Sequence, residues 1–302
     1  MDTIFTAITY LTVLALGACI GSFLNVVVYR IPAGISLIWP PSRCPHCLHK
    51  LGKTENVPVL GWLWLKGRCR HCRSSISMRY PLVEAATGLV FLLIFLLYDI
   101  SLQTLGYWAF LSWLIALALI DFDTMTLPNP LTKSGLVAGL AFQVTTGLLP
   151  IFQSGEAINH LFNGIAGAVL GIWLVDSIRV VGSIVFGQEA MGGGDPKLAA
   201  MMGAWLGWQS LPMAIILACA AGVLIGLAGR LVGRLQPLQK IVFGPFLALG
   251  AALTVFWGEA ILSAYREFLI SSNNTVLLSL LLAVLLLMLI VMRYLKSRNS
   301  LS

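Results

Sequence analysis

Charged residues are scarce in this chain. They make up 10% of its 302 residues, against about 25% in a soluble globular domain. With 58% hydrophobic residues and a mean hydropathy of +0.90, that scarcity excludes an ordinary soluble protein and points to a polytopic membrane protein. No Lys or Arg precedes Arg30, so the first apolar stretch lacks the basic n-region that a signal peptide needs. Leu16-Gly17-Ala18-Cys19 resembles a lipoprotein cleavage site, but Phe5 to Val28 reads as a retained transmembrane helix. No Walker pattern is present. The net charge of +7 is therefore assigned to membrane-flanking loops rather than to a nucleic-acid partner.

Apolar runs of helix length fall at about 5–28, 82–98, 105–120, 131–149, 158–178, 211–229, 241–257 and 276–292. A shorter run at 197–207 is too short to span about 30 Å of hydrocarbon at 1.5 Å per residue. Pro212 is read as capping the run that follows. If the N-terminus lies outside and all nine segments cross, 18 of the 19 Lys and Arg residues fall on the inner side, and only Arg266 lies outside. This asymmetry favours nine crossings. The expected fold is an all-α polytopic membrane protein of eight or nine transmembrane helices with a small cytoplasmic zinc-binding module. Its expected divisions are a first helix at 1–29, the module at 30–81, a catalytic membrane domain at 82–260, and an extra helix with a basic tail at 261–302.

Within the module, Cys44-Pro-His-Cys47 and Cys69-Arg-His-Cys72 form two C-x-x-C pairs. Two such pairs place four thiolates where they can surround one tetrahedral Zn²⁺. Two disulfides are the alternative, which a reducing cytosol disfavours. Four thiolates leave the metal no open position, so the site is expected to be structural rather than catalytic. His46, His49 and His71 are near enough to substitute as ligands but are not needed. Cys19 and Cys219 lie inside apolar runs and read as packing residues.

Carboxylates are costly within membrane segments and mark functional sites there. Asp121 and Asp123 end the third apolar run, and Met191-Gly-Gly-Gly-Asp195-Pro-Lys197 opens the short one. The topology brings Asp121 and Asp195 to the same membrane face. Two carboxylates meeting in a partly desolvated site share a proton, so one serves as base while the other stays protonated. That pairing suits attack of water on a peptide bond. The glycines before Asp195 let an extended backbone approach closely. A phosphate cradle is the other use of such a turn, but an acid occupies the place an anion would take. Taken singly, a boundary Asp also reads as a helix end at the water interface. Lys197 and Glu84 read as interface residues, and the tryptophans as interfacial anchors.

Together these residues resemble the type IV prepilin peptidase family, which is similar to other intramembrane aspartyl proteases with a G-x-G-D turn. The resemblance runs through Gly21-Ser-Phe-Leu-Asn25-Val-Val-Val-Tyr-Arg30-Ile-Pro32, both cysteine pairs, and Asn56-Val-Pro58-Val-Leu-Gly-Trp62. It continues through Arg79-Tyr-Pro81-Leu-Val-Glu84, Ile120-Asp121, Leu127-Pro128 and Glu189-Ala-Met-Gly-Gly-Gly-Asp195-Pro-Lys197, and ends in Phe243-Gly244-Pro245-Phe246. It implies that Asp121 and Asp195 are the catalytic pair. It further implies cleavage of a prepilin or pseudopilin after a Gly that follows a short basic leader. The new N-terminal residue would then be methylated from S-adenosylmethionine, in the bacterial inner membrane with the active site facing the cytoplasm. Asn129, where the family often has Asp, and Pro196 depart from the family pattern. No nucleotide-binding turn marks a methyl-donor site, so that role rests on the resemblance alone.

Three other readings stay open on sequence grounds. One is a leader peptidase without methyltransferase activity. A second is an ion-coupled transporter using the aspartates as proton relays. The third is a non-enzymatic, zinc-stapled membrane scaffold of a secretion system.

Overall fold

The computed structural model describes residues 2–148, 154–187, 191–232 and 242–271. Among them the chain is helical: α1 (Asp2–Arg30), α2 (Leu60–Trp64), α3 (Arg79–Tyr98), α4 (Leu102–Thr124), α5 (Asn129–Leu148), α6 (Ser154–Phe186), α7 (Asp195–Leu231) and α8 (Gly244–Ser271). Every apolar run expected within these residues is helical. The run at 276–292 lies outside the described residues.

α1 and α3 pack side by side, and α4 separates them from α5, α7 and α8, with α6 on the far side of α7. The core is continuous through this arrangement, from Leu24 and Val27 through Leu114 and Leu117 to Met201, Leu211 and Leu247. Small residues set the tightest contact. Gly167 and Gly203 meet backbone to backbone, and a Cβ on Gly203 would strike the Gly167 carbonyl. Close backbone approach of this kind drives helix association where lipid is as apolar as the side chains.

α7 is interrupted at Gly207, whose φ of 76° and ψ of 169° are not helical. Packing on both sides shows that the chain turns back there. Along the first limb, Gly203 meets Gly167 and Ala199 meets Gly171 of α6. Along the second limb, Gly250 of α8 meets Ala214 and Ala218, and Gly222 faces the Phe243 and Phe246 rings. Gly222 thus returns to the end at which α8 begins, level with Asp121. The two limbs, 195–206 and 208–231, are antiparallel. Backbone groups freed at such a break must find partners away from water. Here Asn163 Oδ1 accepts from the Trp208 N–H at 3.2 Å, and Gln143 Nε2 donates to the Trp205 carbonyl at 3.2 Å. The second limb begins at the break, four residues before Pro212, so the proline lies inside the helix rather than capping it.

Six of the described helices are long and apolar enough to cross a membrane: α1, α3, α4, α6, α7 and α8. α5 is not among them, because Lys133, Ser134, Gln143, Thr145 and Thr146 dilute its apolar face. The expected count of eight or nine is therefore not reached on length and apolarity. Folded α7 counts once by that measure, and its first limb is only about 18 Å long at 1.5 Å per residue.

The backbone conformation of Gly207 is essentially restricted to glycine, and a Cβ there would meet the Asn163 side chain. Gly207→Ala is expected to cost at least about 1–3 kcal/mol. This should appear as a lower thermal unfolding midpoint of the purified protein, and an unchanged midpoint would refute the reversal.

Candidate active site and metal centre

α4 ends at Thr124, and Met125 closes it in the left-handed conformation (φ 52°), its N–H bonded to the Asp121 carbonyl at 2.8 Å. Asp121 therefore lies in the last helical turn. The chain turns through Leu127 and Pro128 and starts α5 at Asn129, where the Leu131 and Thr132 N–H groups bond the Pro128 carbonyl. Asp195 opens α7 after the glycine turn. Its N–H bonds the Gly192 carbonyl at 3.3 Å, and the Gly194 carbonyl accepts from the Lys197 and Leu198 N–H groups. Pro196 sits in the first turn, where its missing N–H costs no helical bond.

Two contacts bring these turns together. Gly194 lies against Leu127, so closely that a Cβ would stand 2.9 Å from the leucine Cβ. Lys197 Nζ donates to Asn129 Oδ1 at 2.8 Å. Asp121 and Asp195 are buried, 6% and 5% exposed, and near enough for the charge of one to act on the other. Gly193 has open space where a side chain would be.

Sequence reasoning assigned no role to Gly244. Its N–H donates to Asp121 Oδ2 at 3.0 Å, and a Cβ at this position would overlap that carboxylate. The available signals were its place in the Phe243-Gly244-Pro245-Phe246 stretch of the resemblance and its position before Pro245 at the start of an apolar run. Asp123 is separated from the pair. Arg79 Nη1 donates to Asp123 Oδ1 at 2.7 Å, and Nη2 lies 2.7 Å from Oδ2, with both side chains partly exposed. Lys197 and Asn129 thus tie two helix starts together.

The four module cysteines also converge. Their sulfurs all lie within 4.8 Å of one another, with Cys44 to Cys72 at 3.7 Å and Cys47 to Cys69 at 3.9 Å. The two pairs have the same local build. Cys44 N–H bonds the His49 carbonyl and Leu48 N–H the Cys44 carbonyl; Cys69 bonds Ser74 and Arg73 bonds Cys69 in the same way. Leu48 and Arg73 both take positive φ. The backbone of Cys47 holds the Cys44 thiol down to about 6 despite its burial, aided by the backbone of His46 and the Ser74 hydroxyl. His49 and His71 stack on each other. Cys19 is exposed and Cys219 half-buried, both remote from this cluster.

The module is tied to the membrane helices by polar contacts. Glu84 Oε2 accepts from the Val59 N–H at 2.7 Å, and Asn25 Nδ2 donates to the Tyr80 carbonyl at 3.2 Å. Glu84 is buried at the start of α3.

Residues 15–98 match the Bacterial Peptidase A24 N-terminal domain, and residues 108–227 match the Type IV leader peptidase family. A prepilin leader peptidase/N-methyltransferase from Dickeya chrysanthemi is 38% identical over 272 residues, covering 82% of this chain and 93% of the relative. One of the same name from Aeromonas salmonicida (strain A449) is 36% identical, covering 83% and 91%. One from Stutzerimonas stutzeri is 36% identical, covering 85% and 94%. No solved structure matches. With identity at this level across most of both chains, this multi-pass membrane protein belongs to the type IV leader peptidase family.

Proposed function

We propose that the chain cuts the leader from prepilins or pseudopilins and methylates the new N-terminus. The observation that carries the peptidase reading is the buried pair Asp121 and Asp195, held together by the Leu127–Gly194 contact and flanked by the open Gly193. Asp121 and Asp195 are the catalytic residues. One ionised carboxylate takes a proton from water, and the hydroxide so formed adds to the scissile carbonyl. The other, protonated, donates to the carbonyl oxygen. Collapse of the tetrahedral species breaks the C–N bond as the leaving amine gains a proton. The Gly244 N–H fixes one oxygen of Asp121, leaving the other for water. An extended substrate backbone can approach along Gly193, where nothing occupies the space a side chain would fill.

In the second reaction the freed amine attacks the methyl carbon of S-adenosylmethionine. The S–CH₃ bond breaks, an N–CH₃ bond forms, and the amine loses a proton. Support for this activity comes from the relatives' names and from the N-terminal domain that the chain shares with them.

The four cysteines are the ligands of a structural Zn²⁺. A tetrahedral site with Zn–S near 2.3 Å has sulfurs about 3.8 Å apart, and the two paired distances of 3.7 and 3.9 Å agree with this. Zinc would supply a rigid cross-link between the two cysteine turns and no open position for water.

The active-site face is the cytoplasmic face of the inner membrane. Residues 30–81 carry nine Lys and Arg residues and one acidic residue, Glu55, which suits the positive side. With α5 and both limbs of α7 counted, eight segments cross among the described residues. The divisions at 1–29, 30–81, 82–260 and 261–302 follow as first helix, module, catalytic domain and C-terminal extension.

Asp121→Asn or Asp195→Asn should abolish leader cleavage without lowering the yield of folded protein, and methylation of a pre-cleaved pilin should persist. Substantial cleavage by either variant would remove the two-aspartate mechanism. The double change Cys44→Ser, Cys72→Ser should release bound metal, measured by elemental analysis of the purified protein; stoichiometric zinc in that variant would contradict the ligand set. The intact mass of a prepilin after incubation should fall by the leader mass. It should then gain a methyl group only when S-adenosylmethionine is added. Leader loss without methyl gain would leave a peptidase alone.

A further inference from the structure

The segment after α1 is held by the last residue of that helix. Arg30, the last residue of α1, is buried and turns its guanidinium onto this segment. Its Nη1 donates to the Ser36 and Leu37 carbonyls at 2.9 and 3.3 Å, and its Nη2 to the Pro40 carbonyl at 2.6 Å. The chain from 35 to 41 is thereby folded back alongside the helix it has just left. Leu37 and Ile38 line one cavity of about 360 Å³ together with Cys19, Ser22 and Phe23 of α1.

The depth of that cavity can be read from its neighbours. Asn25 bonds the first turn of α3 at Tyr80, and the Arg79–Asp123 ion pair lies at the same level. These charges mark the water boundary. Cys19 precedes Asn25 by six residues, so it lies about 9 Å deeper. The tip of the segment nevertheless presents large apolar side chains outward, with Ile38 90% and Trp39 73% exposed. The segment belongs to a stretch, 30–81, that holds nine basic residues against one acid.

We propose that the segment 35–41 is an interfacial finger that inserts Ile38 and Trp39 into the lipid headgroup–acyl boundary of the leaflet beneath the cysteine module. Three observations fix lipid as the occupant. The finger is continuous with the lipid-facing surface of α1, the cavity it lines reaches from Cys19, deeper than Asn25, up to Arg30 and to Asn56 and Pro58 of the module, and an aromatic tip beside a basic module matches an anionic interface. The finger gives the module a third attachment to the membrane, besides α1 and α3.

The test uses the full-length protein in nanodiscs of phosphatidylcholine and phosphatidylglycerol. Emission of wild type minus Trp39→Phe isolates the Trp39 signal. Lipid brominated near the headgroup end of its acyl chains should quench that difference by about twofold or more, as expected for an interfacial ring, and aqueous iodide should quench it less. Ile38→Asp, placed in both backgrounds, should reverse the order by lifting the tip into water. Stronger quenching by iodide than by brominated lipid in the otherwise native pair would overturn the proposal and place the finger in water, as a surface for a soluble partner.

Discussion

The candidate site depends on satisfying backbone polar groups at one break inside an apolar bundle. Without the reversal at Gly207, the second limb of α7 would run away from Asp195. α8 would then not begin beside Asp121, and the Gly244 N–H would not reach its carboxylate. A reversal in hydrocarbon is tolerated only where the freed N–H and C=O groups find partners. Asn163 and Gln143, one from each neighbouring helix, provide them. Two polar residues that look misplaced in apolar helices therefore make possible the geometry of a site at the other end of the bundle.

Much of the candidate site was legible because its chemistry is local. A carboxylate at the end of an apolar run, a glycine turn before a second carboxylate and two cysteine pairs each announce themselves within a few residues. Gly207 and Gly244 did not. Gly207 sits in Trp205-Leu-Gly-Trp208, indistinguishable in sequence from glycines that merely pack, because its role is set by an Asn more than forty residues away. The role of Gly244 is set by a carboxylate 123 residues earlier. The number of crossings was the least legible feature. Length and apolarity treat each helix alone, whereas α5 and the short limb of α7 are sheltered by neighbours, Gln143 and Trp205 being buried against one another's elements.

The cysteine module is built with little secondary structure. Besides the single short helix α2, its order comes from two turns of the same design, each closed by a pair of backbone bonds around its first cysteine. α2 occupies the sequence between the turns, and Trp62 from it donates to the Ile76 carbonyl at 3.0 Å. The stretch between the pairs thus carries the one helix of the module. Glu84 then connects the module to α3 by accepting the Val59 N–H just before α2. This 2.7 Å bond lies out of reach of most solvent and ties module to bundle at a single point.

Asp121 and Asp123 illustrate why proximity in sequence does not make two carboxylates equivalent. Two residues along a helix correspond to a rotation of about 200°. Asp121 therefore faces α7 and α8, and Asp123 faces α3. On its own side Asp123 meets the Arg79 guanidinium and solvent, so its carboxylate is already engaged. On the other side Asp121 meets the Gly244 N–H and a second buried carboxylate, Asp195. General acid–base chemistry needs a group that can both give and take a proton within reach of water. Of the two, only Asp121 lies beside Asp195, and the helical rotation alone, without any difference in side-chain chemistry, sets them apart.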